Sequence, residues 1–180
     1  MQPVTAAATY DRTTIVLHWL TAALVALQWI GAQVIDLFPR GPLRVDARST
    51  HIALGLLLAV VLATRVIWRA TRGRRLPSAD HGALNLVAKG THRVLYALLV
   101  AMVGVGILLT WARGDNLFNM VSIPSFDPGG GALARQVQEV HAALGWLVVT
   151  VAGFHAGAAL AHRYVWKDGV LDRMWPRGPA

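Results

Sequence analysis

The sequence predicts an all-α integral membrane protein, a four-helix up-down bundle. Of its 180 residues, 55% are hydrophobic and only 14% are charged, and the mean hydropathy is +0.48. These values are typical of membrane proteins. Four runs lack Asp, Glu, Lys and Arg, and most are long enough for a membrane-spanning helix of about 20 residues. The runs are residues 13–35, 49–64, 94–112 and 140–162.

Short connections join the four runs, so we expect one transmembrane domain over residues 1–180, with consecutive helices antiparallel. The expected helices are about 13–37, 49–70, 91–112 and 138–163. The second uncharged run is only about 24 Å long as a helix. It crosses a membrane only if Arg65 extends its side chain to the surface or if the bilayer thins.

The first helix follows a polar segment, and Thr13 or Thr14 is its expected N-cap. His18 lies about one turn inside. Because the N-terminal 12 residues are polar, the first run is interpreted as an uncleaved anchor rather than a signal peptide. A small-residue site at residues 31–33 leaves cleavage as the alternative.

The connection after the first helix contains two prolines and a glycine, which break the helix. It is expected to leave Arg40, Arg44 and Arg48 in the water on the outer side of the membrane. The second helix then begins near Ser49, with His51 close to the same surface.

The third helix is expected to begin near Thr91, with His92 at the opposite, inner surface. It ends near Trp111, and residues 127–131 (DPGGG) mark the longest outer loop. His81 falls in the polar connection before this helix, where a solvated histidine is the simplest interpretation.

The fourth helix carries two histidines on nearly one face. His141 and His155 are 14 residues apart, which at 100° per residue is about 40° short of four full turns. They are therefore about 21 Å apart along the helix axis. Histidines inside a membrane span usually face the bundle interior and mark a site.

Alternating helix directions sort the histidines into two pairs. The outer side receives His51 and His141, and the inner side receives His18 and His155, with His162 nearer the inner surface. The sequence has no cysteine, which excludes thiolate-bound iron–sulfur clusters and covalently attached haem. A structural zinc site needs four ligands in one place. Two histidine pairs at two depths fit two bis-imidazole haems better.

Small residues one turn after each histidine favour the same interpretation, since a flat macrocycle beside a helix needs space there. The residues at this spacing are Gly55, Gly145, Ala22 and Ala159. Small residues also allow close packing of membrane helices, so this pattern has a second explanation. A lone histidine is often only hydrogen-bonded within a bundle, but the four-membered arrangement favours metal ligation.

The basic residues predict the orientation. If the N-terminus is cytoplasmic, 12 Lys and Arg residues lie on that side and 5 lie on the other. The positive-inside rule therefore predicts that both termini are cytoplasmic. The net charge of +8 is mostly this topology signal, and no nucleic-acid-binding patch is apparent.

Several segments resemble the bacterial cytochrome b561 family, and the likeness runs from residue 10 to residue 177. The tail segments are among its more specific parts. The segments are residues 10–12 (YDR), 17–19 (LHW), 37–40 (LFPR), 92–96 (HRVLY), 161–168 (AHRYVWKD) and 173–177 (RMWPR). The spacing on the fourth helix is also similar to that of the cytochrome b subunits of formate dehydrogenase and hydrogenase.

This resemblance implies a multi-pass protein of the bacterial inner membrane with two b haems, which exchanges electrons with quinone. The family's axial haem ligands match His18, His51, His141 and His155. The likeness to superoxide-oxidising members implies a superoxide:quinone oxidoreductase, with ubiquinone as the acceptor substrate. Two alternatives remain. The protein is an electron-relay subunit that docks to a dehydrogenase or another redox partner protein, or it is a bundle that uses histidines for non-haem metal or proton transport.

Further residues receive provisional roles. Arg12 and Arg65 are candidates to pair with haem propionates, with simple extension to the membrane surface as the alternative. His162 is a candidate to hydrogen-bond quinone, against a solvated histidine at a helix end. The arginines at 40, 44 and 48 are candidates to steer superoxide, against lipid headgroup binding.

Overall fold

A computed structural model of the protein describes residues 9–79, 82–127 and 131–175. Within them the chain forms four long α-helices and one small β-hairpin. The helices are α1 Arg12–Val34, α2 Pro42–Thr71, α3 Gly82–Arg113 and α4 Ala132–Ala161, and the strands are β1 Asn116–Leu117 and β2 Val121–Ser122. Short 3₁₀ turns cover Ile35–Leu37 and Leu171–Met174, and a π-helical turn covers His162–Trp166. His81 lies outside the described residues.

All four helices are long and apolar enough to cross a membrane. Their outward faces carry large exposed hydrophobic side chains, such as Val60, Ile67 and Phe154. In water such a surface would be unfavourable, whereas lipid tails solvate it. The predicted all-α membrane bundle is confirmed. Below, the terminal side is the end of the bundle where α1 begins and α4 ends, and the loop side is the end that carries the β-hairpin.

Helix α1 begins one residue after Asp11, so the predicted cap at Thr13 or Thr14 is wrong. The Asp11 carboxylate accepts hydrogen bonds from the Thr14 backbone N–H at 2.9 Å and from the Thr14 hydroxyl at 2.7 Å. An ionised carboxylate at this position also interacts favourably with the positive end of the helix dipole.

Helix α2 begins at Pro42, about two turns earlier than expected. Proline is favoured in the first turn because it needs no backbone donor there. Arg44 and Arg48 therefore belong to the helix rather than to a solvated turn. Ser49, the expected start, lies fully buried inside α2, where its hydroxyl donates to the Val45 carbonyl and accepts from the Phe118 backbone N–H at 2.8 Å.

Helices α3 and α4 also begin earlier than expected, at Gly82 and Ala132. The antiparallel hairpin of β1 and β2 between them pairs Asn116 with Ser122 and Leu117 with Val121. The sequence interpretation placed only a loop there.

The bundle consists of two helical hairpins, α1 with α2 and α3 with α4, joined mainly through α2 and α3. One small core of Leu17, Leu24, Leu58 and Val61 lies within the first hairpin. A second core of Leu62, Leu99 and Val148 joins α2, α3 and α4. Helices α1 and α4 approach each other at few backbone positions, and side chains such as Trp29 and Trp146, with ring centroids 5.5 Å apart, meet between them.

Segments distant in sequence meet on the terminal side. Tyr10 donates its backbone N–H to the Arg173 carbonyl at 3.0 Å, and the Trp19 indole donates to the Met174 carbonyl at 2.7 Å. The Trp68 indole donates to Asp11 at 2.9 Å. The residues just before α1, the end of α2 and the 3₁₀ turn Leu171–Met174 are thereby fixed together.

Candidate functional site

The four histidines singled out in the sequence form two pairs in the structure. His18 of α1 faces His155 of α4, with ring centroids 6.2 Å apart and ring planes at 79°. His51 of α2 faces His141 of α4, with centroids 6.3 Å apart and the same interplanar angle. All four side chains are half-buried. Helix α4 therefore supplies one imidazole to each pair, at two levels of the bundle.

The two separations match the space that one metal ion needs between two imidazoles. A metal–imidazole bond is about 2.0–2.1 Å long, and the nitrogen lies about 1.1 Å from the ring centroid, so two opposed ligands have centroids about 6.3 Å apart. Within the described ranges, no group of three or more His, Cys, Asp or Glu is placed to hold a metal ion. The donor set thus fits an ion whose equatorial ligands come from elsewhere, as in bis-imidazole haem.

His92 is a third imidazole near the pair on the terminal side. Its ring centroid is 5.1 Å from that of His155, which is too close for a metal ion between opposed rings. Its side chain is also exposed, unlike those of the four paired histidines. The geometry therefore places His92 beside the pair as a neighbour.

Arg65 of α2 lies against the His18–His155 pair. Its Nη2 is 2.9 Å from His18 Nδ1, and its guanidinium lies 5.2 Å from the centre of the Tyr96 ring. Its Nε is buried without a hydrogen-bond partner, and no described carboxylate forms an ion pair with it. A half-buried guanidinium in this state suits an anionic group that the protein itself does not provide. Arg12, by contrast, is exposed at the first residue of α1.

Glycines lie directly beside the pair on the loop side, but they are not the ones that the sequence pattern selected. A Cβ at Gly106 would be 3.2 Å from His141 Cε1, and one at Gly31 would be 3.9 Å from His51 Nδ1. A Cβ at Gly55 would instead be 2.9 Å from Gln28 Nε2, and one at Gly145 would be 3.6 Å from Met102 Cε. The last two glycines thus make room for neighbouring side chains.

A model of the family described as prokaryotic cytochrome b561 matches residues 9–177, which is nearly the whole chain. The chain belongs to the prokaryotic cytochrome b561 family. It is therefore a bacterial haem b membrane protein that transfers electrons, and the family resemblance stated from the sequence is confirmed.

The chain aligns with several curated relatives over most of the length of both proteins. The chain is 29% identical to "Probable superoxide oxidase CybB" of Yersinia pestis over 172 residues, which is 93% of this chain and 96% of the relative. It is 30% identical to "Cytochrome b561 homolog 2" of Escherichia coli (strain K12) over 161 residues, or 87% and 86% of the two chains. It is 29% identical to "Cytochrome b561 homolog 1" of the same strain over 175 residues, or 93% and 97%.

On the loop side of this cytochrome b561 protein, two of the three expected steering arginines are engaged. Arg44 lies 3.5 Å from Asp36 and donates to the Phe38 carbonyl, and Arg48 lies 3.4 Å from Asp115. The expectation that all three face water is therefore wrong, because the helix starts early enough to bring two of them to acceptors. Arg40 is exposed and forms no ion pair with a described residue.

Asp115 is a site residue that the sequence interpretation missed. Only 5% of it is exposed, and it accepts two hydrogen bonds from the Arg113 guanidinium, at 2.9 and 3.2 Å, in addition to the ion pair with Arg48. Arg113 is also close enough to interact electrostatically with His51 and His141. The only sequence signal for Asp115 was its position as an acidic residue just after an apolar helix.

On the terminal side, His162 begins the π-helical turn that follows α4. Its Nδ1 lies 2.6 Å from Asp168 Oδ2, and its ring packs edge-on against Trp166, with centroids 4.5 Å apart. Burial raises the pKa of Asp168, but hydrogen bonds from His162 and the Val170 backbone N–H outweigh this effect and hold the pKa below its usual range. The segment that follows α4 thus positions an imidazole against a carboxylate.

Proposed function

We propose that this protein is a di-haem b oxidoreductase that oxidises superoxide on the loop side and reduces ubiquinone on the terminal side. The observation that carries the proposal is the two imidazole pairs at two levels of α4, each with the spacing that one iron needs. His18 with His155 and His51 with His141 are the proposed axial ligands. Haem b bound there would supply the reversible one-electron Fe(III)/Fe(II) couple.

The protein's first task is to fix the distance between the two proposed sites. His141 and His155 share one continuous helix, whose rise of about 1.5 Å per residue separates them by about 21 Å. Helical ligands hold a site more rigidly than loop ligands. Because few backbone contacts join α1 and α4, a flat group at the His18–His155 pair would not require the two hairpins to unpack.

Arg65 is the proposed partner of a propionate at the terminal-side pair. A guanidinium has only donors, so its contact with His18 Nδ1 requires that nitrogen to accept, and a neutral His18 then carries its proton on Nε2. Ligation through Nε2 would require Arg65 to release Nδ1, which would free the guanidinium for a carboxylate. Arg12 is the weaker candidate for this role, because it is exposed.

The substrate assignment is supported by the relative named a probable superoxide oxidase and by the basic residues on the loop side. Two superoxide anions would be oxidised to two dioxygen molecules, and the two electrons together with two protons would convert ubiquinone to ubiquinol. Exposed cations near an entrance raise the local concentration of an anion. Arg40 is the main steering candidate, since Arg44 and Arg48 are ion-paired.

His162 is the proposed quinone contact on the terminal side. Asp168 fixes the orientation of the imidazole through Nδ1, and this imidazole is proposed to hydrogen-bond a quinone oxygen.

Rapid mixing of superoxide with the purified, oxidised protein tests this function. Haem reduction should approach about 10⁸ M⁻¹s⁻¹ at low salt and slow as added salt shortens the screening length to about 8 Å at 0.15 M. Arg40→Gln should slow the reaction severalfold at low salt. Arg93→Gln, which removes an exposed arginine from the opposite side, is the matched control and should leave the rate unchanged.

The outcomes separate the competing functions. Absence of a b-type band in a reduced-minus-oxidised spectrum would favour the non-haem bundle. A b-type spectrum without reduction by superoxide would favour an electron-relay subunit between quinone and a partner dehydrogenase. A fast reaction that is indifferent to salt and to Arg40→Gln would retain the superoxide function and remove the steering role.

A further inference from the structure

Several buried polar atoms near the loop-side histidine pair have no hydrogen-bond partner in the described structure, His141 Nδ1 among them, and two others lie around one cavity. These two are His51 Nδ1 and Gln28 Oε1, on the facing helices α2 and α1. Both residues line the same cavity of about 200 Å³, which is bounded mainly by apolar side chains of these two helices. Unpaired buried polar atoms are rare, and two around one cavity indicate that something connects them.

Gln28 is held firmly in this position. Its Nε2 donates to the backbone carbonyl of His51 at 3.0 Å, which ties the amide to a residue that lines the same cavity. A carbonyl only accepts, so the nitrogen must occupy this position, and the amide oxygen is the acceptor left over. The space for the amide comes from Gly55, because a Cβ there would lie 2.9 Å from Gln28 Nε2.

We propose that Gln28 is a positioning residue for the loop-side iron. Its amide oxygen accepts the His51 Nδ1 proton through one water molecule in the shared cavity, and it thereby directs His51 Nε2 toward the iron. This inference rests on the proposed di-haem function. A histidine that binds a metal usually donates its second N–H to an acceptor, which fixes the tautomer and makes the ring a stronger ligand. The cavity has the volume and the two polar partners that such a water needs.

A consequence of this contact is a lower reduction potential for the loop-side haem. Electron density that the acceptor pushes onto the imidazole stabilises Fe(III) more than Fe(II). The terminal-side pair has a different environment, in which the Arg65 guanidinium approaches His18 Nδ1. The acceptor behind His51 on one side, and on the other the Arg65 cation that remains beside the pair after it releases Nδ1, would separate the potentials of two otherwise similar ligand pairs.

The test is an optical redox titration of purified protein that carries both haems. Gln28→Leu removes the acceptor and should raise the potential of the loop-side haem by about 59 mV, equivalent to a tenfold change in its one-electron equilibrium constant. Gln28→Glu supplies a stronger acceptor and should shift the same potential downward. The matched control is Gln33→Leu, an exposed amide on the same helix, which should move neither haem.

The loop-side component is identified by its loss in His51→Ala. The low-spin ferric EPR signal of this component should also change in Gln28→Leu, because the ring loses its orienting contact. If the loop-side potential stays in place in both Gln28 variants, or moves in the same direction in both, the positioning role is wrong while the di-haem proposal stands. Absence of haem from the wild-type protein would instead overturn the proposed function.

Discussion

The histidines near the site differ in their burial and in the side chains that face them. His18, His51, His141 and His155 are half-buried and face each other in pairs, whereas His92 is exposed and lies edge-on beside one pair. A ligand must present a nitrogen lone pair to an iron that is opposed by a second nitrogen. Only the paired geometry meets that requirement among the described histidines near the site.

Single substitutions of these histidines should therefore divide into three classes. His51→Ala or His141→Ala should lose mainly the loop-side haem, and His18→Ala or His155→Ala mainly the terminal-side haem, because each removes one axial ligand. His92→Ala is the control and should retain both. Haem content per chain, measured by the pyridine haemochrome spectrum, checks the result. Loss of a haem in His92→Ala together with full retention in His51→Ala would refute the pairing.

The sequence predicted which four histidines form the two pairs, but it did not predict which residues surround them. Histidine in an uncharged run is conspicuous, and helix geometry alone relates the residues at 141 and 155. The role of Gln28 depends on a facing helix, which no local pattern reports. The same limitation misassigned Gly55, which accommodates that amide, and overlooked Gly106, which lies against His141.

At the scale of elements, the helices expected from the sequence differ from the observed ones mainly at their ends. An uncharged run identifies the part of a helix that crosses hydrocarbon, but a helix continues wherever its charged residues find partners. Arg44 pairs with Asp36 and Arg48 with Asp115, so α2 extends about two turns beyond its uncharged run. Strands of two residues, such as β1 and β2, are too short to show any periodicity.

The hairpin region is anchored by one buried carboxylate. Asp115→Ala would leave the Arg113 and Arg48 guanidiniums without their acceptor in a partly buried position. We expect a loss of about 3 kcal/mol in the free energy of unfolding, since breaking a buried ion pair leaves an uncompensated charge. Denaturant titration in detergent micelles measures this change.

Asp36→Ala is the matched control for that substitution. It also removes a carboxylate from an arginine, but the Asp36 side chain is 83% exposed. The expected change is below about 1 kcal/mol, as for other surface ion pairs. Equal losses in the two variants would show that Asp115 is not a special anchor.

The N-cap of α1 should make the fold sensitive to acid. Burial raises the pKa of Asp11, but hydrogen bonds from Thr14, Arg74 and Trp68 outweigh it and hold the pKa well below its usual range. A carboxyl group with a lowered folded-state pKa stabilises the fold above its unfolded pKa of about 3.9, and this contribution is lost as the pH falls toward the folded value. Stability should therefore decrease on acidification below about pH 4.

Asp11→Asn tests this linkage. Asparagine can still cap the helix through one oxygen, but it cannot titrate and cannot accept all four hydrogen bonds. The variant should be less stable at neutral pH by about 1–2 kcal/mol and should lose less stability than the wild type on acidification. Parallel pH profiles of unfolding for the two proteins would exclude Asp11 as the titrating group.

At the scale of the whole molecule, most helix packing occurs in one part of the bundle and the histidine pairs lie in another. The helices pack mainly within the α1–α2 and α3–α4 hairpins, and both histidine pairs lie between the hairpins, His18–His155 between α1 and α4 and His51–His141 between α2 and α4. The class of fold and the number of helices follow from composition and from the four uncharged runs. The position of the two pairs between the hairpins does not, because it depends on how two complete hairpins join.

The orientation of the bundle remains the prediction on which the direction of electron transfer depends. The sequence assigns 12 Lys and Arg residues to the side of the N-terminus and 5 to the other side. The more basic side is retained in the cytoplasm during insertion, so both termini should be cytoplasmic and the loop-side pair should face the periplasm. Superoxide would then be oxidised outside the cell membrane, and the protons for quinone reduction would come from the cytoplasm.

Reporter fusions test the orientation directly. A C-terminal alkaline phosphatase, which is active only in the periplasm, should be silent, whereas a C-terminal green fluorescent protein should be bright. The same phosphatase fused after Phe126, in the α3–α4 connection, should be active and serves as the matched control. The reverse pattern at both positions would place His162 and Asp168 in the periplasm and invert the proposed electron path. Activity of the phosphatase at both positions would contradict the alternating four-helix topology itself.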